Sequence, residues 1–435
     1  MMATINSFIS YIKENKKLIT LSTIVIFIVS VGGHLIFPLS GTDFAIYLAV
    51  AKDWLANGFT NTYNYAFWVA RVKLPFRYLP FFVIIMSPLG AMPLIWGYFT
   101  YFVINIFLLI VCGYLIKNIL ALLHCDYKPG SRLKIVVDFL IYIALPMETL
   151  YWGQVSIILG TILLLSFYYF LKGKQMLGSF FLGLTFVFKP IMFTLALLIL
   201  FGLGWKGFIK RMVCMVLPLV PDAIILALNK PAFQGFVNLN IIGFIQNSGK
   251  FHAISFMNVL SIAGISSVLT EGVAIVACTL AGIFLAKRQA NRNDKLLTMF
   301  TVGVVSYIIA FSEVWTNQAF YIYMFLALYI ARFMQNKRSS IVILLVYTLL
   351  MFVKLYLFDA TAYSLNGISP EFEAMPWQDA LAIIAASPML VFDMILSIIT
   401  CTLSVPIFIA LFFPETKDID NSVHQPDKNI INQQH

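Results

Sequence analysis

Apolar runs of about twenty residues recur along this chain with only short polar breaks, the length that spans a bilayer as a helix. No water-soluble fold hides so many of them. The first runs from Leu18 to Pro38 behind Lys13, Lys16 and Lys17; it outlasts a signal-peptide core and lacks a small-residue cleavage site, so it reads as a signal anchor. Only 11% of the 435 residues are charged and 61% are hydrophobic, where a soluble domain carries about twice that charge. The chain therefore reads as an all-α, polytopic integral membrane protein. Its net charge of +10 does not point to nucleic acid, because the cations are dispersed among short loops. They fit the positive-inside rule and anionic lipid headgroups instead.

Orientation follows from one ambiguous run. Tyr78 to Pro93 is apolar, but Pro80, Pro88 and Pro93 interrupt it. Counted as a span, it would put Lys117, Lys128, Arg132 and Lys134 outside; read as a re-entrant or juxtamembrane helix, it puts them inside. The second choice gives about twelve spans, near 18–38, 94–116, 135–151, 154–171, 176–188, 190–204, 212–228, 257–286, 296–312, 318–333, 340–357 and 381–412. Most of the 29 lysines and arginines then lie inside, with both termini cytoplasmic in a plasma or inner membrane. Residues 1–414 form one membrane domain, with 206–414 its variable helical part, and 415–435 are expected to be a disordered cytoplasmic tail. The outer loops are 39–76, 229–255 and 358–379. Two spans, 176–188 and 190–204, are too short to cross alone, so the turn at Lys189-Pro190 is expected below the outer surface. The five cysteines form neither a CxxC pair nor a Cys/His ligand spacing, and no disulfide or structural zinc is expected.

Polar chemistry gathers on the outer side, first in Ser40 to Pro80. Gly41-Thr42-Asp43 reads as a helix start. Phe44, Tyr47, Leu48, Ala51 and Trp54/Leu55 then share one face, Gly58 is the stop, and the pattern is that of an amphipathic helix on a membrane surface. An aromatic and basic stretch follows, with Arg71, Lys73, Arg77 and Tyr78. A carboxylate, cations and many rings at one bilayer face suit a phosphate-bearing lipid substrate.

Further outer features are Glu148 and Gln154 at the outer end of two spans, Lys189 between two short apolar segments, and His252 in a later loop. Each has a plainer reading. Asp43 can serve only as a helix cap. Arg71, Lys73 and Arg77 can be interfacial cations, and Gln154 can hydrogen-bond a neighbouring helix. Glu148 rivals Asp43 as a base, Glu313 can pair with a cation, and His34 suits packing within the first span. Lys189 is the exception, since a cation at that depth is costly unless it has work to do.

In order, Asp43-Phe44-x-x-Tyr47, Tyr78-Leu79-Pro80 with Pro88-Leu89, Trp152-Gly153-Gln154, and Gly183-Leu184 followed by Lys189-Pro190 resemble the GT-C superfamily of integral membrane glycosyltransferases, and within it glycosyltransferase family 87. The resemblance covers about residues 38–205. It implies a polyprenyl-phosphate sugar donor, often mannose, and a glycolipid or glycan acceptor. It also implies inversion at the anomeric carbon, an active site outside the cytoplasm, and no nucleotide sugar. One departure stands out: family members often carry a histidine near the outer end of a late span, and Phe311 to Gln318 has none.

The expected mechanism has ionised Asp43 as general base, with Lys189 and the cations of residues 71–77 holding the leaving phosphate. Tyr78, Glu148, Gln154 and His252 complete the expected substrate-binding set. No carboxylate cluster suits a divalent ion, so no cofactor is expected. Two rivals remain open: a transporter or flippase, for which related halves are expected and not found, and an O-antigen-type ligase or polymerase.

Overall fold

A computed structural model describes residues 2–36, 42–63, 66–69, 72–125, 131–189, 192–242, 268–311 and 319–333, with residue 395 as an isolated position. Arg71, His252, the expected span 340–357, the expected span 381–412 apart from residue 395, and the tail 415–435 lie outside the described residues.

The chain enters through α1 (Met2–Glu14) and α2 (Lys16–Ile36), followed by α3 (Thr42–Asn57). A small antiparallel hairpin comes next, β1 (Ala66–Val69) and β2 (Val72–Pro75), with Trp68 opposite Lys73. This hairpin is the one sheet among the described residues, and its Trp, Phe and Val content is what a paired strand favours. Then come α4 (Pro80–Gly90), α5 (Leu94–Leu122), α6 (Arg132–Phe139) and α7 (Leu145–Trp152). They are followed by α8 (Ser156–Leu171), α9 (Gln175–Phe188), α10 (Phe193–Gly202), α11 (Phe208–Val216), α12 (Val220–Leu228) and α13 (Lys230–Phe236). The last three are α14 (Val268–Lys287), α15 (Arg292–Ala310) and α16 (Ala319–Phe333).

Among the described residues three helices are long and apolar enough to cross a membrane: Leu94–Leu122, Phe208–Leu228 and Leu269–Lys287. Shorter apolar helices pack between them. With 11 residues, α4 rises about 16 Å, half a bilayer. Pro80 starts it at N1, where a missing N–H costs nothing. The expected span 135–151 is broken by a π-helical turn over Leu140–Ala144. Pro146 follows it, and a proline removes the N–H that would bond four residues back.

Small residues let the helices close up, as membrane packing requires. Gly178 sits on the Phe170 ring, and the Ser166 hydroxyl donates to the Gly178 carbonyl at 2.8 Å, joining α8 to α9. A Cβ on Gly183 would lie 1.9 Å from the Met215 carbonyl oxygen, which is backbone and cannot yield. Gly183→Ala is expected to lower the thermal midpoint in detergent by an overpacking cost of about 1–3 kcal/mol or more. An unchanged midpoint would show that α9 and α11 can part freely.

One end of the bundle is basic. Arg332 holds Asp294 with Nε at 2.8 Å and a second nitrogen at 3.0 Å. Arg292 donates to the Phe170 carbonyl at 2.8 Å, and Asn293 to the Leu122 carbonyl at 3.2 Å. Buried Arg211 donates to the carbonyls of Leu200, Gly204 and Lys206 and to Gln175. These donors satisfy carbonyls left open at the C-terminal ends of α5, α8 and α10, where a positive charge also suits the helix dipole. Lys117 pairs with Glu14 at 2.8 Å, and Lys134 bonds Asn15 and Asp138, tying the first helices to the same end. Cys112, Cys125, Cys214 and Cys278 are free thiols.

Candidate functional site

The α3 helix is more enclosed than the interfacial helix expected there. Phe44, Tyr47, Leu48 and Ala51 are buried, as their spacing predicts, but so are Ile46 and Val50 from the neighbouring face. Leu55, expected on the apolar face, is 52% exposed. The reason is α4, which packs along α3 with Gly90 against the Ala51 Cβ, where a side chain would leave only 2.7 Å.

Asp43 is the second residue of α3, in the first turn, where the dipole favours a carboxylate. It is half-buried. Its Oδ2 accepts a hydrogen bond from Gln154 Nε2. Residues 111 apart meet because of Gly153, whose φ of +73° reverses the chain between α7 and α8. A Cβ there would stand 2.6 Å from the Phe44 Cβ and 3.0 Å from its backbone nitrogen, so a side chain at 153 is excluded twice over. The turn is held by the Gln154 N–H donating to the Thr149 carbonyl at 2.8 Å. From α5, Tyr101 donates to the Gln154 carbonyl at 2.7 Å and Tyr98 to the Leu150 carbonyl at 3.0 Å. Phe44 stacks on Tyr101 with centroids 4.7 Å apart.

The other end of the Gln154 amide faces two phenols. Its Oε1 stands 3.5 Å from the Tyr47 hydroxyl and 3.4 Å from that of Tyr78, and the two hydroxyls lie 2.5 Å apart. Burial raises both phenol pKa values well above the usual range, and the Asp43 charge adds to it. Both therefore stay protonated donors at neutral pH. An ionised carboxylate only accepts. Hydroxyl to amide oxygen, then amide N–H to carboxylate, the hydrogen-bond polarity runs towards Asp43.

Tyr78 is itself fixed. Its ring stacks on Phe82 at 4.6 Å, and Tyr47 meets Phe82 edge-on at 5.1 Å. The Tyr63 hydroxyl donates to the Tyr78 carbonyl at 2.6 Å. Arg77, half-buried, immediately precedes it. Phe188, the last residue of α9, packs on Phe82 at 5.8 Å, and Lys189 follows it as the extended C-cap of that helix. The structure thus gathers Asp43, Gln154 and Tyr78 directly, and brings the backbones of Arg77 and Lys189 to the edge of the same aromatic cluster. Lys73 lies in β2 and Glu148 in α7; only their backbones are described. Arg71 and His252 lie outside the described residues, as does the side chain of His34.

Three residues bonded to these groups or to the segment after Tyr78 stand out only in the structure. In the sequence Tyr47 counts only as an apolar-face residue, and Tyr101 as one ring in a span. Asp222, in the first turn of α12, had a visible signal: a carboxylate inside a long apolar run. Among the described residues no group of three or more His, Cys, Asp or Glu is gathered.

The sequence profile of glycosyltransferase family 87 matches residues 76–312, more than half of the chain. The chain belongs to glycosyltransferase family 87. No curated protein matches it. Membership makes it a membrane glycosyltransferase, acting on a sugar donor and an acceptor. The matched stretch takes in Arg77, Tyr78, Glu148, Gln154 and Lys189, while Asp43 lies upstream of it. Asp43 thus enters the site through its bond to Gln154.

Proposed function

We propose that this family 87 glycosyltransferase moves a sugar, mannose in the first instance, from a polyprenyl-phosphate donor to a lipid-linked or glycan acceptor, with inversion, on the extracytoplasmic face. The observation that carries the reading is the half-buried Asp43 carboxylate, oriented by Gln154 within a cluster of tyrosines. As an ionised acceptor it is in the form that takes a proton from an acceptor hydroxyl, and the freed oxygen then attacks the sugar carbon opposite the lipid phosphate. General-base help of this kind contributes about 10²–10⁴-fold. Lys189 and Arg77, with Arg71 and Lys73, would hold the leaving phosphate as its charge grows. The reading needs no bound metal and keeps about twelve crossings in a single membrane domain.

The side of the membrane is supported by the length of α5. Tyr101 touches the site and Leu122 touches the basic end, and the helix between them rises about 30 Å, one bilayer core. With the cations inside, the carboxylate faces outside. Cysteines placed at Asn57 and Asn291 are expected to label from opposite sides, 57 from outside and 291 from inside. Labelling of both from one side sinks the orientation. The function itself is tested by reconstitution in liposomes with polyprenyl-phosphate sugars and candidate glycolipids, with and without a chelator, and mass spectrometry of the products. Transfer from nucleotide sugars alone would refute the donor.

A further inference from the structure

We infer that Asp222 is a positioning residue for transfer, acting through the start of α4 on Tyr78; the inference rests on the proposed reading of the Asp43 site. Asp222 lies in the Phe208–Leu228 helix and is 2% exposed. A carboxylate placed so deep in an apolar segment is costly, and one that serves nothing would be expected to be replaced by an apolar residue.

What it serves is readable from the start of α4. Leu79, the N-cap, carries no side-chain acceptor, and Pro80 at N1 has no N–H. The Phe82 N–H already bonds the Leu79 carbonyl at 3.1 Å. The Phe81 N–H has no carbonyl behind it to bond, and Asp222 Oδ1 takes it at 2.6 Å from 141 residues away. The carboxylate supplies from another helix the cap that the local sequence lacks.

The consequence falls on Tyr78. Its carbonyl is pinned by Tyr63, and three residues on, the Phe81 N–H is pinned by Asp222. These two points hold the backbone from which the Tyr78 ring projects, so the ring, stacked on Phe82, reaches Tyr47 and Gln154 from a fixed base. Gln154 in turn orients Asp43. Asp222 never meets the reacting atoms on this account; it sets the register in which Arg77 and Tyr78 meet them. Among the described residues its Oδ2 meets no hydrogen-bond partner, so one oxygen makes the contact and an amide oxygen could make it equally well.

That last point gives the test. Asp222→Asn keeps the accepting oxygen; Asp222→Leu keeps the volume and removes it. D222L is expected to lower kcat by between about tenfold and 10²-fold with little change in the donor KM, the pattern of a misplaced group. D222N is expected to stay within about threefold of the unaltered protein. Hydrogen exchange of the peptide spanning Phe81 should speed up in D222L and not in D222N. A D222L enzyme with normal kcat, or a D222N enzyme as damaged as D222L, overturns the inference. If D222L does not fold, D222E replaces it: the longer arm displaces the carboxylate, so loss of kcat supports the role and normal kcat refutes it. Should the unaltered protein not use a polyprenyl-phosphate sugar, the donor reading fails alone, and exchange at Phe81 still decides Asp222.

Discussion

Asp43→Asn is expected to fold and insert normally and to lose sugar transfer by at least about 10²-fold. The two shapes are nearly identical, and asparagine caps a helix about as well as aspartate. What the change removes is the basic lone pair. It also turns a pure acceptor into a group with its own donors, placed against the Gln154 amide, whose Nε2 points at Oδ2. If Asp43 is only a helix-start residue, D43N keeps its activity and Asp43→Ala carries the damage as lost stability. The two readings therefore separate on one measurement, the turnover of folded, reconstituted D43N. Glu148→Gln is the necessary companion, because Glu148 sits on α7 just before the Gly153 turn. Normal turnover in D43N with a dead E148Q would move the base to Glu148.

The distance between sequence and structure here is instructive at particular residues. The helix bearing Asp43 was legible because its apolar residues repeat at 3.6 and its ends carry Asp43 and Gly58. Its enclosure was not, since Ile46 and Val50 look like the flank of an amphipathic stripe and the structure buries both in a helix that α4 packs along. Trp152-Gly153-Gln154 could be noticed as a motif, but the reason for the glycine could not. It lies in the Phe44 backbone, more than a hundred residues earlier. Tyr63, Tyr101 and Asp222 act by gripping backbone groups of distant segments. A sequence announces side chains and says nothing of which remote carbonyl or N–H stands open. The broken span before α7 was legible in principle, since Pro146 was in plain view.

Gln154 should be the most sensitive position after Asp43, and its two substitutions should fail differently. Gln154→Leu removes the donor to Asp43 and the acceptor facing Tyr47 and Tyr78 in one step. Buried polar groups left without partners cost about 1–3 kcal/mol, so stability should drop. If Gln154 merely joined two helices, the loss would end there. On the positioning reading, kcat of the protein that remains folded also falls, by about 10²-fold, because the carboxylate has lost the donor that orients Oδ2. Gln154→Glu is the more decisive variant. It keeps the length but sets a second carboxylate against the first, with the phenols of Tyr47, Tyr78 and Tyr101 among the neighbours that the Asp43 charge reaches. Two carboxylates in one site cannot both ionise easily, and one pKa rises. The base works only when ionised, so activity is lost as pH falls through that pKa. Raising it moves the acid limb of the pH–rate profile upward, and restoring alkalinity should recover part of the rate. An acid limb that stays in place in Q154E, with kcat reduced at every pH alike, would mean that the group titrating in the rate profile is not the carboxylate Gln154 holds.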